Sequence, residues 1–389
     1  MFRIKQGIQN FFRKGDMVLL TLCLVTSAFG CLIIASTTNA VGSFRYVLIQ
    51  LIATGLGVCM YGLVSSVDMS FFSEHRYALV VFNCLLLALI VPFGTDNGTG
   101  NKSWLDFPFL PIDIQPAEIC KISFILILAS VMASHQNRPS SVPAVLHLVL
   151  HLGILVGLNM VVSRDLGVSL IFVFIFIGMA FAGGVSLIWF LMAGGALAVG
   201  FPILWQFLDA YQQKRILVLF QPELDPLGIN ERYHTVRSLR SLTGGGMTGQ
   251  GLFQGNRTQT EGALFAQHTD YIFSAIGEEL GYLGCTFVLV LLSMIVLRCI
   301  WVGRQSQDYS RRLVCFGAAA ALIFQVISNV GMCTGVTPVI GLTLPFISYG
   351  GSSIVTLYAM VGLVSGVHAR PTAPSHDRYI RPPYMQNSL

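Results

Sequence analysis

Charge is what this chain has least of. Only 11% of its 389 residues are Asp, Glu, Lys or Arg, against roughly 25% in soluble proteins, and that shortage excludes an ordinary cytosolic enzyme. Clustered cysteine is also missing. The nine cysteines stand one at a time in apolar stretches without a CxxC, so they read as free thiols, and neither a disulfide framework nor a zinc site is expected. Strict alternation of apolar and polar residues is absent, which excludes a membrane β-barrel. The glycine stretch Gly244 to Gly251 follows no strand and does not end in Lys-Ser/Thr, so it is no nucleotide loop. The net charge of +5 is modest and gives no reason to expect nucleic acid.

What the chain has instead is long apolar runs. It is 54% hydrophobic with a mean hydropathy of +0.71, and a spanning helix needs about 20 such residues. The runs near residues 17–37, 46–67, 77–94, 116–134, 143–163, 166–184, 186–208, 271–300, 312–334 and 345–368 predict an all-α integral membrane protein, a polytopic bundle of about ten helices. The first run is too long for a signal-peptide core and lacks a cleavage site, so it reads as a first span. Three parts follow: a basic stretch at 1–16, a membrane domain at 17–368, and a Pro-rich tail at 369–389 expected to be disordered.

An even number of spans puts both termini on one side. The basic amino terminus, Arg76, Arg138, Arg298, Arg304, Arg311, Arg312, Arg370, Arg378 and Arg381 fall together there, and the positive-inside rule makes that side the cytoplasm. The opposite side receives residues 95–115, the turn at Arg164-Asp165, and a long loop over about 209–270 between the seventh and eighth spans. Such loops are uncommon unless functional. Its glycines, from Gly244 to Gly255, mark backbone that bends or approaches something closely.

Ionisable residues inside spans cost about 2.5 to 3.5 kcal/mol each and are site candidates for that reason. Glu118 and Lys121, at i and i+3, share a helix face; they either pin the bundle as an ion pair or line a cavity. Asp165, at the start of the sixth span, either caps that helix or belongs to the same site. Asp270 stands where the long loop enters the eighth span and faces the same choice of cap or catalyst. Lys214, Arg215, Arg232, Arg237 and Arg240 could hold a pyrophosphate. His147 and His151 lack the Glu of a zincin and read as polar points in a helix.

Several segments resemble, in order, one family across nearly the whole chain, the SEDS cell-wall polymerases (RodA, FtsW, SpoVE). They are Lys102-Ser103-Trp104, Gln115-Pro116-Ala117-Glu118 with Lys121, Arg164-Asp165-Leu166-Gly167, Asp225-Pro226-Leu227-Gly228, His268-Thr269-Asp270-Tyr271, Gly277-Glu278-Glu279-Leu280-Gly281 and Leu344-Pro345-Phe346-Ile347-Ser348-Tyr349-Gly350-Gly351. One departure is that the family's usual Pro-Glu before His-Thr-Asp is replaced by Ala266-Gln267.

The resemblance implies a peptidoglycan glycosyltransferase of the bacterial plasma membrane that polymerises lipid II outside the cell, for elongation, division or sporulation. Its implied partners are a class B penicillin-binding protein and other divisome or elongasome membrane proteins. Asp270 matches the family's essential loop aspartate and would be the general base. Trp104, Glu118, Lys121, Asp165, Arg215 and His268 would bind substrate, and a divalent cation (Mg or Mn) could serve the leaving pyrophosphate. Two other readings stay open on the sequence. A lipid II flippase would use Glu118, Lys121, Glu278, Gln325 and Asn329 along a path, and a non-catalytic scaffold would only position the penicillin-binding protein.

Overall fold

The computed structural model describes residues 15–95, 102–107, 113–206, 210–225, 229–230 and 232–370. The basic stretch at 1–14, the tail after Arg370 and the turn at 226–228 lie outside the described residues.

Apolar runs become helices because hydrocarbon offers the backbone no partner, so every N–H and C=O must be satisfied within the segment. Eight helices are long and apolar enough to cross a membrane. They are α1 (Met17–Thr37), α2 (Arg45–Ser66), α3 (Arg76–Phe93), α4 (Pro116–Ser134), α5 (Val142–Val162), α10 (Ile272–Gln305), α11 (Tyr309–Cys333) and α12 (Gly351–Ala369). Two further apolar helices, α6 (Leu166–Ala182) and α7 (Leu187–Gln206), are interrupted at Gly183-Gly184, where Gly184 is left-handed at φ 80°. The loop holds α8 (Ala210–Phe220) and α9 (Tyr233–Gly244). A short antiparallel hairpin, β1 (Gly94–Thr95) and β2 (Trp104–Leu105), leads through a Leu105–Ile114 bridge into α4.

The centre of the bundle is α4, α11 and α12, whose residues are mostly buried. Where α2 meets α12, Gly57 lies under the Tyr358 ring and Gly362 against the backbone of Tyr61, the small-residue contact that lets membrane helices approach closely. By contrast α7 shows apolar side chains all round, among them Val199 at 81% exposure, as a helix facing lipid should.

One end of the bundle gathers the described ends of the chain. Asp16 caps α1, accepting from Leu19 N at 3.1 Å, and pairs with Arg298 at 2.8 Å. The Arg370 guanidinium donates to the last carbonyls around α2, those of Ser65, Ser66 and Val67. The long loop closes over the opposite end, where Gln259 and Gln267 donate to the carbonyls of Ser36 and Thr37 at the end of α1.

Two spans differ from the sequence expectation. The run at 271–300 is two helices: Gly281, at φ 67° and ψ −163°, breaks α10. Loop backbone fills the break, with Gln250 N and Gly251 N donating to the carbonyls of Glu278 and Glu279, and Tyr282 N and Leu283 N donating to those of Gly246 and Met247. The run at 345–368 becomes helical only at Gly351, because Leu344 to Ser348 fold as a turn with Phe346 left-handed at φ 64°. Apolar sequence alone does not distinguish such a buried turn from a helix.

Candidate active site

The loop end of the bundle brings four of the expected residues into one electrostatic group. Pro116 starts α4 and sets Glu118 in its first turn, so one helical turn carries Lys121 onto the same face. Lys121 Nζ stands 2.7 Å from Glu118 Oε1, and both side chains are buried. The other Glu118 oxygen accepts from Thr356 Oγ1 on α12 at 3.1 Å. The pair is therefore a buried ion pair that Glu118 ties to a second central helix, and a buried pair of this kind is costly to break on one side only.

Asp165 caps α6 through Val168 N, 3.0 Å from Oδ1, while its Oδ2 lies 3.4 Å from Gln115 Nε2 just ahead of α4. The cap and the site are thus one residue. Burial pushes its carboxyl up, the Val168 amide works against this, and the charge of Glu118 adds to the rise. Arg164, directly before it, holds a left-handed φ of 52°, a conformation that non-glycine residues keep only where the surroundings impose it.

Asp270 ends the loop, one residue before the cap of α10, Tyr271. It does not cap that helix. Burial pushes its carboxyl up to about 6, and the charge of Asp165 adds to the shift; a carboxylate held there is poised to take a proton near neutral pH. The turn Leu344 to Ser348 backs it: Ser348 Oγ donates to Thr269 O at 2.6 Å and Tyr349 N to His268 O at 2.8 Å. The signature strings around His268 and Tyr349 therefore form one wall.

His268 is partly buried in a cluster of rings with Tyr46 and Tyr349, 4.8 and 5.7 Å away, and burial lowers its pKa. Trp104 is half-buried in the hairpin, whose Leu105 bridges Ile114 beside Gln115. Arg215 lies in α8, and its side chain is outside the described residues. No group of three or more His, Cys, Asp or Glu able to hold a metal occurs among the described residues. Asp165 and Asp270 remain a two-carboxylate donor set whose mutual repulsion a hard cation would relieve, and such cations are commonly held by one or two carboxylates plus substrate phosphates.

Two residues considered for a translocation path have other work. Glu278 accepts backbone N–H from Arg257 at 2.8 Å and Thr258 at 3.2 Å, holding the loop, and Asn329 donates to the carbonyls of Asp270 and Leu342. Buried polar groups in spans must find partners, and theirs are internal. Gln115 stood in one of the signature strings without an assigned role, and the contribution of Thr356 had no sequence signal beyond being polar in an apolar run.

The cell cycle protein family FtsW/RodA/SpoVE matches residues 13–372. The chain belongs to this family. Among its relatives, the "Probable peptidoglycan glycosyltransferase FtsW" of Thiomicrospira cyclica is 33% identical over 361 residues, 90% of each chain. The "Peptidoglycan glycosyltransferase MrdB" of Escherichia coli is 33% identical over 321 residues, covering 80% of this chain and 84% of that one. A chain from a solved peptidoglycan synthase complex, described as coordinating polymerization and crosslinking, superposes with a TM-score of 0.75 at 29% identity over 92% of this chain and 98% of its own. The rod shape determining protein RodA of Thermus thermophilus gives 0.66 at 27% identity, over 94% of this chain and 98% of its own. The FtsW/RodA/SpoVE assignment agrees with the helical membrane architecture and with the signature strings that build the carboxylate site.

Proposed function

We propose that this protein is a peptidoglycan glycosyltransferase that polymerises lipid II into β-1,4 glycan strands, with Asp270 as general base. The observation that carries the reading is the placement of Asp270, a loop-end carboxylate that burial pushes up to about 6, close enough to feel the charge of Asp165, which in turn feels the Glu118–Lys121 pair. The relatives named as peptidoglycan glycosyltransferases supply the reaction class.

In the reaction the 4-hydroxyl of the acceptor sugar attacks the anomeric carbon of the donor. As the new C–O bond forms, Asp270 takes the hydroxyl proton, and the bond to the pyrophosphate oxygen breaks with its electron pair leaving as undecaprenyl pyrophosphate. Inversion requires attack opposite the leaving group, so the base and the positive charge serving the pyrophosphate flank the sugar. Lys121, through its pair with Glu118, and Arg215 are the cationic candidates, and Trp104 and His268 offer amphipathic rings for sugar or headgroup. If Asp165 and Asp270 hold a divalent cation, Mg or Mn, it would supply neutralisation of the leaving pyrophosphate.

The charge asymmetry of the ends supports placing the termini in the cytoplasm and the loop end outside, where a cleft between helices can admit a polyprenyl chain while the sugars stay in water. The synthase-complex neighbour supports a penicillin-binding protein as partner, and a class B enzyme together with other division or elongation proteins fits that setting.

The test is lipid II polymerisation by the purified protein with its cognate penicillin-binding protein, comparing wild type with Asp270→Asn. Glycan strands from wild type and none from the folded variant are expected. Equal product from both would move the base elsewhere, and no product from either would return the flippase and scaffold readings.

A further inference from the structure

Asn329 lies in α11, four residues before its end, and is fully buried. Its amide nitrogen Nδ2 carries two hydrogens and reaches two carbonyls, that of Asp270 at 2.8 Å and that of Leu342 at 2.7 Å. These belong to segments far apart in sequence: one ends the long loop, the other lies in the irregular stretch between α11 and the Leu344 turn. Both hydrogens are used, so the side chain works as a fork with fixed spacing.

The second tine leads to the other carboxylate. Gly341, next to Leu342, is left-handed at φ 66°, and a Cβ there would stand 3.6 Å from Asp270 Oδ2. Ile340, one residue earlier, sets its carbonyl where a Cβ on Gly167 would be 2.5 Å away, and Leu342 packs on that same glycine. Gly167 is in the first turn of α6, two residues after Asp165. The stretch 340–342 therefore touches the Asp270 carboxylate on one side and the first turn of Asp165's helix on the other, and Asn329 ties that stretch to the Asp270 backbone.

Asp165 is held in the same manner from its own side. Asn159, also fully buried, donates from Nδ2 to Asp165 O at 2.9 Å and to Ser169 Oγ at 2.9 Å. Each carboxylate residue thus has its backbone carbonyl fixed by a buried asparagine from a neighbouring helix. A hydroxyl or an aliphatic side chain of similar size cannot reach two carbonyls at once.

We infer that Asn329 is a positioning residue for the polymerisation reaction, fixing Asp270 against Asp165 through the 340–342 stretch. The inference rests on the glycosyltransferase reading. It requires that loss of the fork leave substrate recognition intact while displacing the base, and displacement of a catalytic group by about 1 Å can lower a rate on the order of a hundredfold.

The experiment uses the full-length protein with its penicillin-binding protein and compares wild type, Asp270→Asn, Asn329→Ala and Asn329→Ser for lipid II polymerisation, with size-exclusion profile and melting temperature for each. For the folded Asn329 variants kcat should fall about tenfold to a hundredfold with KM for lipid II within about twofold of wild type. Wild-type kcat in either variant, or kcat and KM changing together, overturns the positioning role while leaving Asp270 as base. Failure of both variants to give monodisperse protein also overturns it, making Asn329 a residue that holds the fold. Absence of polymer from wild type sinks the glycosyltransferase reading itself and the positioning role with it.

Discussion

Gly249 presses on the carbonyl of Glu279: a Cβ at that glycine would stand 2.1 Å from the carbonyl oxygen, and its φ of 82° is one that side-chain-bearing residues rarely adopt. Gly245 meets the carbonyl of Gly277 in the same way, at 1.9 Å. The loop and the first part of α10 are thus packed backbone on backbone. Gly249→Ala should undock the loop, with a loss on the order of 2 to 4 kcal/mol from strain plus overpacking. Gly262→Ala, with φ 71° but open space around it, should cost only about 1 to 2 kcal/mol. Thermal unfolding of the two variants, with limited proteolysis of the loop, decides the matter; similar melting for both would mean the close approach contributes nothing.

Acid should silence the enzyme at a defined point. A general base works ionised, so with Asp270 as the proposed base, pushed up to about 6 by burial, the rate should hold above that pH and fall as pH drops through it. The sign for stability is opposite. Because the folded pKa lies above the ordinary value of 3.8, the folded state holds a proton more firmly than the unfolded state between roughly pH 4 and 6. The ionised carboxylate therefore costs stability at higher pH, and that cost disappears as pH falls below about 4. Asp270→Asn should melt a few degrees higher than wild type at pH 8, with the gap closing toward pH 4. A variant that melts lower at pH 8 would show that the carboxylate stabilises the site.

Glu118 and Lys121 allow a structural role to be separated from a chemical one. Glu118→Gln or Lys121→Met alone leaves a buried charge without its partner and should cost on the order of 3 to 5 kcal/mol. The double substitution should recover most of that stability. If the pair serves the reaction, the double variant folds but does not polymerise; if it is a brace, polymerisation returns with the fold.

Glu279 holds the loop to α1. Its carboxylate is buried and accepts from Ser36 Oγ, Thr258 Oγ1 and Gln259 Nε2 at 2.6 to 3.0 Å. Glu279→Gln turns one acceptor oxygen into a donor facing donors, at about 1 to 3 kcal/mol, and should expose the 253–267 segment to protease without altering assembly of the spans. Protection equal to wild type would show that the glycine contacts hold the loop without it.

Much of this was legible beforehand. Solid apolar runs located the helices to within a few residues, since hydrocarbon leaves the backbone no alternative. The i, i+3 spacing of Glu118 and Lys121 foretold their pairing, and the glycines at 244 to 255 foretold a close approach. The sequence could not show what they approach, because the Gly281 break lies inside an unbroken apolar pattern. Nor could it show that Leu344 to Ser348 turn rather than spiral. Asn159 and Asn329 were legible only as polar residues in spans; that each fixes a carboxylate's backbone depends on contacts across distant segments, which no local period records.

A continuous helix transmits register. Adding or removing one residue anywhere along it rotates everything beyond by about 100° and shifts it by 1.5 Å. The hydrogen-bond ladder of α10 is instead interrupted at Gly281, where loop backbone caps both exposed ends. Asp270 directly precedes the short part, which the loop clamps, while the long part answers to the lipid. The break therefore works as a mechanical insulator: the membrane portion can tilt, lengthen or drift in sequence to suit a bilayer, and the rotation stops at Gly281, between two and three helical turns short of Asp270.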